Sequence, residues 1–165
     1  MAAEHTFPDS AARLADPSLL EPIDRLAAVG AGAMLLGIME RLLAATIEYS
    51  RTRTTFARPI GSFQALQHRM VDTMMAFEQS KSLLFKALCE YEIDPASADT
   101  TIHALKVLID RNSKLVYGEA IQMHGGMGIT DELDIGHYAK RLMMIITTFG
   151  NGDYHQAKFN ALRYN

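Results

Sequence analysis

Apolar positions recur along this chain with helical rather than strand spacing. From Ile23 to Arg53 no proline or polar run breaks the pattern, and its densest part, LAAVGAGAMLLGIM (Leu26–Met39), reads as a buried helix. That stretch is shorter than the roughly 20 apolar residues a membrane-spanning helix needs. Gly30, Gly32 and Gly37 lie inside it, where each costs about 1 kcal/mol of helix propensity relative to alanine. Such glycines point to close approach by another helix or a ligand. The sequence RPIGS (58–62) stops this helix with Pro59 and Gly61, and Ser62 is placed to cap the next.

Phe63, Leu66, Met70, Met74, Phe77, Leu84 and Leu88 then follow at spacings of three, four or seven, one stripe of a second helix whose other face carries Arg69, Asp72, Glu78 and Lys81. IDPAS offers Asp94 as N-cap and Pro95 as first helical residue of a third helix, with Ile102, Leu105, Ile109, Val116 and Ala120 as its apolar face and Gly125-Gly126 as its end. Thr130 with Asp131-Glu132 reads as the start of a fourth, which buries Ile135, Tyr138, Leu142 and Ile145. QAKFNALRY makes a short fifth. No segment alternates long enough to require a sheet. The expected fold is all-α, an up-and-down four-helix bundle with a short extra C-terminal helix. Residues 1–22, with Pro8, Pro17 and Pro22, read as a loose lead-in or truncated edge, and residues 23–165 as one helical domain.

Composition removes several classes of function. A balance of 16 basic against 19 acidic residues, with no basic stripe, argues against nucleic acid as a partner. The single cysteine, Cys89, cannot form an internal disulfide and stands outside any metal-ligand spacing. It favours a reduced, cytoplasmic setting, and the start of the chain lacks the basic and apolar blocks of an export signal. The six histidines form no HExxH and no Cys/His cluster, so no metal site is expected. His68 reads as a helix-face residue, and His124 as a cap for the last carbonyls of the third helix.

Three stretches could carry chemistry. GGMG (125–128) lacks the lysine of a phosphate loop and follows a helix, so its residues alone describe a helix C-terminus with positive φ. RTRTTFARPIGSFQ sets Arg51, Arg53 and Arg58 among Thr54, Thr55, Phe56, Phe63 and Gln64 around a turn. Arginine forks and hydroxyls suit a diphosphate and an aromatic suits a nucleobase, whereas the plain alternative is a solvated basic helix end. TTFGNGDYHQ (147–156) is either a chemical site or a hinge.

Together, YSRTRTTFARPIGSFQALQHRMVD and AIQMHGGMGITDELDIGHYAKR resemble the C-terminal helical domain of the acyl-CoA dehydrogenases, from about Ala28 to the C-terminus. Two separated motifs in order, with helices between them, carry the likeness. It implies a flavoenzyme in which FAD accepts a hydride from the β-carbon of an acyl-CoA thioester while a glutamate removes the α-proton. Arg53, Thr55, Phe56 and Gln64 would touch the FAD pyrophosphate and adenine side. Gln122, Gly125 and Gly126 would touch the adenosine part across a subunit contact, and Asn151 and Asp153 would meet FAD again. Acyl-CoA and a homo- or hetero-oligomer are the implied partners, with no nucleic acid and no membrane.

The likeness also has gaps. Phe149 stands where the family has its glutamate, followed by Gly150 and by Asn151 in place of the usual threonine, so no catalytic residue is assigned. The Phe149 N–H can still donate to the thioester oxygen. Glu21 and Asp24 are candidates for a substitute base, since some relatives carry theirs on the first helix. The family's N-terminal helical and middle β-domains are missing, so the chain reads as an excised domain or half-enzyme without dehydrogenase activity in isolation. HGGMGITDELDIGHYAKR and FGNGDYHQAKF are most similar to the small-subunit branch of pimeloyl-CoA and steroid side-chain dehydrogenases. Heteromers are the rule there, and a subunit without its own base can serve as a catalytically silent partner.

Overall fold

The computed structural model describes residues 20–130 and 132–164. Most of the lead-in assigned to residues 1–22, and Asp131 before the fourth helix, lie outside the described residues. Among the described residues five α-helices follow in order: α1 (Glu21–Thr52), α2 (Gln64–Ile93), α3 (Asp99–His124), α4 (Asp134–Thr147) and α5 (Gly152–Tyr164). The first four pack together as the expected all-α bundle, and the short C-terminal helix α5 lies against α3. A two-residue ladder, β1 (Thr54–Thr55) against β2 (Arg58–Pro59), was not expected and turns the chain between α1 and α2.

Helix α3 is central, touching α1, α2, α4 and α5. Its Ile102, Leu105, Ile109 and Val116 are buried with Leu35, Met39 and Leu42 of α1 and with Leu142 and Ile145 of α4. Each such side chain contributes roughly 1.5–3 kcal/mol relative to exposure. Gly32 admits α3 closely, since a Cβ there would lie 3.3 Å from Leu105. Gly30 and Gly37 face open space instead, so the close approach expected of all three glycines holds for one.

Helix α1 is buried on one face only, with Ile23, Leu26 and Met34 exposed. Among the described residues it is the helix long and apolar enough to cross a membrane by length and composition. The wholly buried Leu35, Met39 and Leu42 are equally what a core helix presents.

The α2 stripe is rotated from the expected one. Thr73, Ala76, Phe77, Ser80, Leu84 and Ala87 are buried, whereas Met74 and Leu88 are exposed. Small residues let α2 and α3 approach until Asn112 Nδ2 donates to Ala76 O at 2.9 Å and Ser80 Oγ at 3.1 Å. Arg69 with Glu119, and Arg25 with Asp99, tie α3 to α2 and α1 at opposite ends.

Three expected caps act elsewhere. Ser62 Oγ donates back to Pro59 O, and Phe63 precedes α2. Asp94 ends α2 and accepts the Ala96 N–H in a turn, so α3 begins at Asp99 rather than Pro95. Thr130 Oγ1 donates to Met127 O, and α4 begins four residues later at Asp134.

Candidate functional site

The upper end of the bundle gathers seven of the nine residues singled out by sequence. Tyr49 in the last turn of α1 stacks on His124 at the end of α3, ring centroids 4.3 Å apart. His124 Nδ1–H donates back to Ala120 O at 2.7 Å, one turn earlier inside α3, and not to the last carbonyls it was expected to cap. The hairpin and the α3 terminus are thereby fixed side by side.

Arg53 N–H closes α1 on Tyr49 O, and Arg53 O accepts Ile60 N–H across the hairpin, both at 2.8 Å. Phe56 and Ala57 form its tip at φ 53° and 61°, a left-handed pair of the kind that joins two-residue hairpins. Non-glycine residues pay about 1–2 kcal/mol each for this region, and such strain concentrates at ligand and interface loops. Phe56 is 85% exposed, its ring and that of Phe63 meet in a T-shaped pair, and the Arg58 guanidinium lies 4.0 Å from the Phe63 ring centroid. Arg53, Thr55 and Gln64 are exposed beside it.

Across from the hairpin, Gln122 closes α3 by accepting the Gly125 N–H, and Gly125 takes φ 60°. Residues Gly125–Ile129 then form a 3-10 turn. A Cβ on Gly125 or Gly126 would meet nothing within 4 Å, which leaves both open to an approaching group. Gly128 is the glycine that packing requires, because its Cβ would lie 2.8 Å from Ile121 O. Gly128→Ala is therefore expected to cost about 1–3 kcal/mol through a forced backbone shift, whereas Gly126→Ala leaves thermal stability within about 0.5 kcal/mol. Equal melting temperatures for the two variants would refute this packing account.

Asn151 and Asp153 lie at the other end, beyond the 14 residues of α4, about 20 Å of helix. All nine residues are exposed, but they form two groups, not one. Asn151 is occupied by the fold itself, because its Oδ1 accepts Tyr154 N–H at 3.0 Å as the N-cap of α5. Asp153 sits in the first turn, where the helix dipole favours it.

The turn before Asn151 is held from the core. Phe149 has φ 58° and Gly150 φ 91°. Lys106 Nζ donates to Thr148 O at 2.9 Å, and His155 Nε2 bonds Phe149 O at 2.8 Å. A carbonyl only accepts, so His155 carries its proton on Nε2 and leaves Nδ1 bare. His103 Nδ1, 2.8 Å from that atom, must then be the donor. Burial is the first cause that lowers all three: His155 to about 4, against the opposing bond to Phe149 O, and His103 and Lys106 below their ordinary ranges. Sequence reading missed this group, whose members are 42 and 52 residues from their partners.

A cleft of about 580 Å³ opens beside the turn, lined by Phe149, Gly150, His103, Lys158 and the first turn of α1. Glu21 and Asp24, the candidate substitute bases, line it with Phe149. Arg25 pairs with Asp99, which raises its pKa. Among the described residues no group of His, Cys, Asp and Glu is arranged to hold a metal ion.

Comparison with known proteins gives the same outline. Residues 25–158 match the model of the acyl-CoA dehydrogenase C-terminal domain. The chain is 37% identical over 115 residues to the acyl-CoA dehydrogenase IpdE2 of Mycobacterium tuberculosis, covering 70% of this chain and 34% of that one. It thus spans about a third of the length of the curated relatives it matches. Among solved structures, PigA with FAD and proline superposes with a TM-score of 0.78 at 26% identity, over 84% of this chain and 36% of PigA. The ChsE4-ChsE5 complex from Mycobacterium tuberculosis gives 0.85 at 25% identity, over 95% of this chain and 43% of that chain.

Proposed function

The chain belongs to the acyl-CoA dehydrogenase family through its C-terminal helical domain, and on that basis we propose that it serves the FAD-dependent α,β-dehydrogenation of an acyl-CoA thioester. Its share is flavin contacts and oligomer surface. The observation that carries this reading is the Tyr49–His124 stack, which sets the arginine-bearing hairpin beside the open Gly125-Gly126 turn. Arg53 makes none of the ion pairs among the described residues, so its fork is free for a pyrophosphate. Thr55 and Gln64 add polar contacts, and Phe56 offers a face to the adenine. Gln122, Gly125 and Gly126 serve the adenosine part of a flavin held with a partner subunit, while Asn151 and Asp153 border the flavin at the lower end. These exposed positions and unobstructed glycines fit an extended dinucleotide.

Bound FAD supplies the hydride acceptor. The Phe149 N–H donates to the thioester oxygen, and the cleft at that turn receives the acyl-CoA. A cytoplasmic, reduced setting belongs to the same reading and is supported by the exposed free thiol of Cys89.

A second reading is a catalytically silent subunit that assembles with an active paralogue. Phe149 in the glutamate's place favours it, and the similarity to the two-subunit ChsE4-ChsE5 structure is consistent with it. Isolation of the full-length protein, with and without its genomic neighbour, separates the two. On the first reading it is yellow, and Arg53→Ala lowers FAD affinity about 10- to 100-fold, the worth of one charge-assisted contact, without moving the melting temperature. A protein that stays colourless after FAD is added contradicts the flavin contacts. Turnover by the protein alone rules out the silent reading.

A further inference from the structure

Lys106 is an ammonium on the apolar face of α3, 1% exposed, with the core residues Leu105 and Ile109 before and after it in sequence. A methionine would fill that space without the penalty of burying a charge. Its Nζ donates to Thr148 O, and Asp110, one turn further along α3, is the charge that acts on it. Capping the end of α4 would account for the bond but not for a buried cation, since lysines that cap helix ends reach them from solvent.

The peptide geometry offers a reason. Among the described residues every peptide bond is trans, so Thr148 C=O and Phe149 N–H point in opposite directions across one planar amide. With the carbonyl drawn to Lys106 in the core, the Phe149 N–H faces away from the core, on the turn that lines the cleft. A cation on the carbonyl also polarises the amide, which makes its N–H a stronger donor. His155 grips the next carbonyl, Phe149 O, so two successive peptides are held in the left-handed turn.

We propose that Lys106 is a positioning residue, which aims and strengthens the Phe149 N–H as the donor to the thioester oxygen of bound acyl-CoA. The inference rests on the acyl-CoA reading above. It adds a residue on a different helix, 43 positions from Phe149 in sequence, through which that contact is set.

The test uses the full-length protein reconstituted with FAD and two probes, butanoyl-CoA and palmitoyl-CoA, each carrying 13C at the thioester carbonyl. Isotope-edited infrared difference spectra read the carbonyl stretch, with the melting temperature taken alongside. The wild type is expected to lower the stretch of bound thioester, and Lys106→Met to lose most of that lowering. Lys106→Gln, which keeps a neutral donor, retains part of it and is the variant read should Lys106→Met not fold. A capping role alone would move the melting temperature and leave the stretch of bound thioester in place. An unchanged stretch in a folded variant overturns the inference alone. No lowering in the wild type with either thioester overturns the acyl-CoA reading and this inference with it.

Discussion

Acidification from pH 7.5 to 4.5 is expected to remove most of about 3 kcal/mol of folding stability through His155. Its folded pKa of about 4 lies below the ordinary 6.5 because the ring is buried, 3% exposed, with His103 and Lys106 adding unfavourable charge. The unfolded chain binds a proton below 6.5 and the folded chain resists it until about 4. The contribution is therefore complete above pH 6.5, declines between 6.5 and 4, and is level below that. That gap is worth roughly 3 kcal/mol at most. His103, also lowered by burial, acts in the same direction.

The structural event is defined by tautomers. The bond between the two Nδ1 atoms needs one bare nitrogen, and protonating His155 places a second N–H in the gap. The α3–α5 contact opens there, while Nε2–H still reaches Phe149 O. Asp99, Arg25 and Lys158 also face the pair, and carboxylates elsewhere titrate near pH 4, so the comparison must be between variants. Urea unfolding at both pH values should show the wild type losing about 2 kcal/mol more than His155→Gln. Equal losses would show that the pair carries no proton linkage.

The four long helices and their apolar faces were legible because amphipathic period is a property of neighbouring residues. What went astray was decided by distant ones. Ser62, Asp94 and Thr130 have the chemistry of helix caps, yet two bond back to a carbonyl and Asp94 closes a turn. The α2 face turned because close packing against α3 rewards Ala76, Ser80 and Ala87 over bulkier Met74 and Leu88, and Asn112 supplies partners that no hydropathy scale foresees.

The candidate site divides in the same manner. The motif residues at the upper end could be named from sequence because their spacing carries a resemblance, and the Tyr49–His124 stack then brings their segments together. Spacing could not foresee that Asn151 and Asp153 would be left at the far end. Lys106 and His103 were missed because each acts through one contact across the fold, and His155, inside the stretch TTFGNGDYHQ, because its partner His103 stands 52 residues away. The local signal for Lys106 is a lysine inside the run Ile102, Leu105, Lys106, Ile109, where an apolar residue would satisfy the pattern. A charge on a core face should prompt a search for the group it serves.

The largest effect is expected from Phe149→Glu. The turn already holds residue 149 at φ 58°, and its side chain, 53% exposed, lines the cleft with Glu21 and Asp24. A carboxylate at 149 enters a backbone fixed by Lys106 and His155 and requires no new geometry. A positioned base contributes about 10²- to 10⁴-fold. Flavin reduction by acyl-CoA in the full-length variant, followed anaerobically by stopped flow, should accelerate by a factor in that range if position 149 is a vacant base site. Glu21→Gln and Asp24→Asn complete the argument. If the wild type draws its base from the first turn of α1, one of these slows reduction to a similar degree, and Phe149→Glu gains little because the proton already has an acceptor. Acceleration by Phe149→Glu with both α1 variants neutral identifies the wild-type chain as a subunit that keeps the thioester-orienting N–H and leaves proton abstraction to a partner. No response from any of the three would remove this turn from proton transfer altogether, since a base elsewhere would be indifferent to all of them.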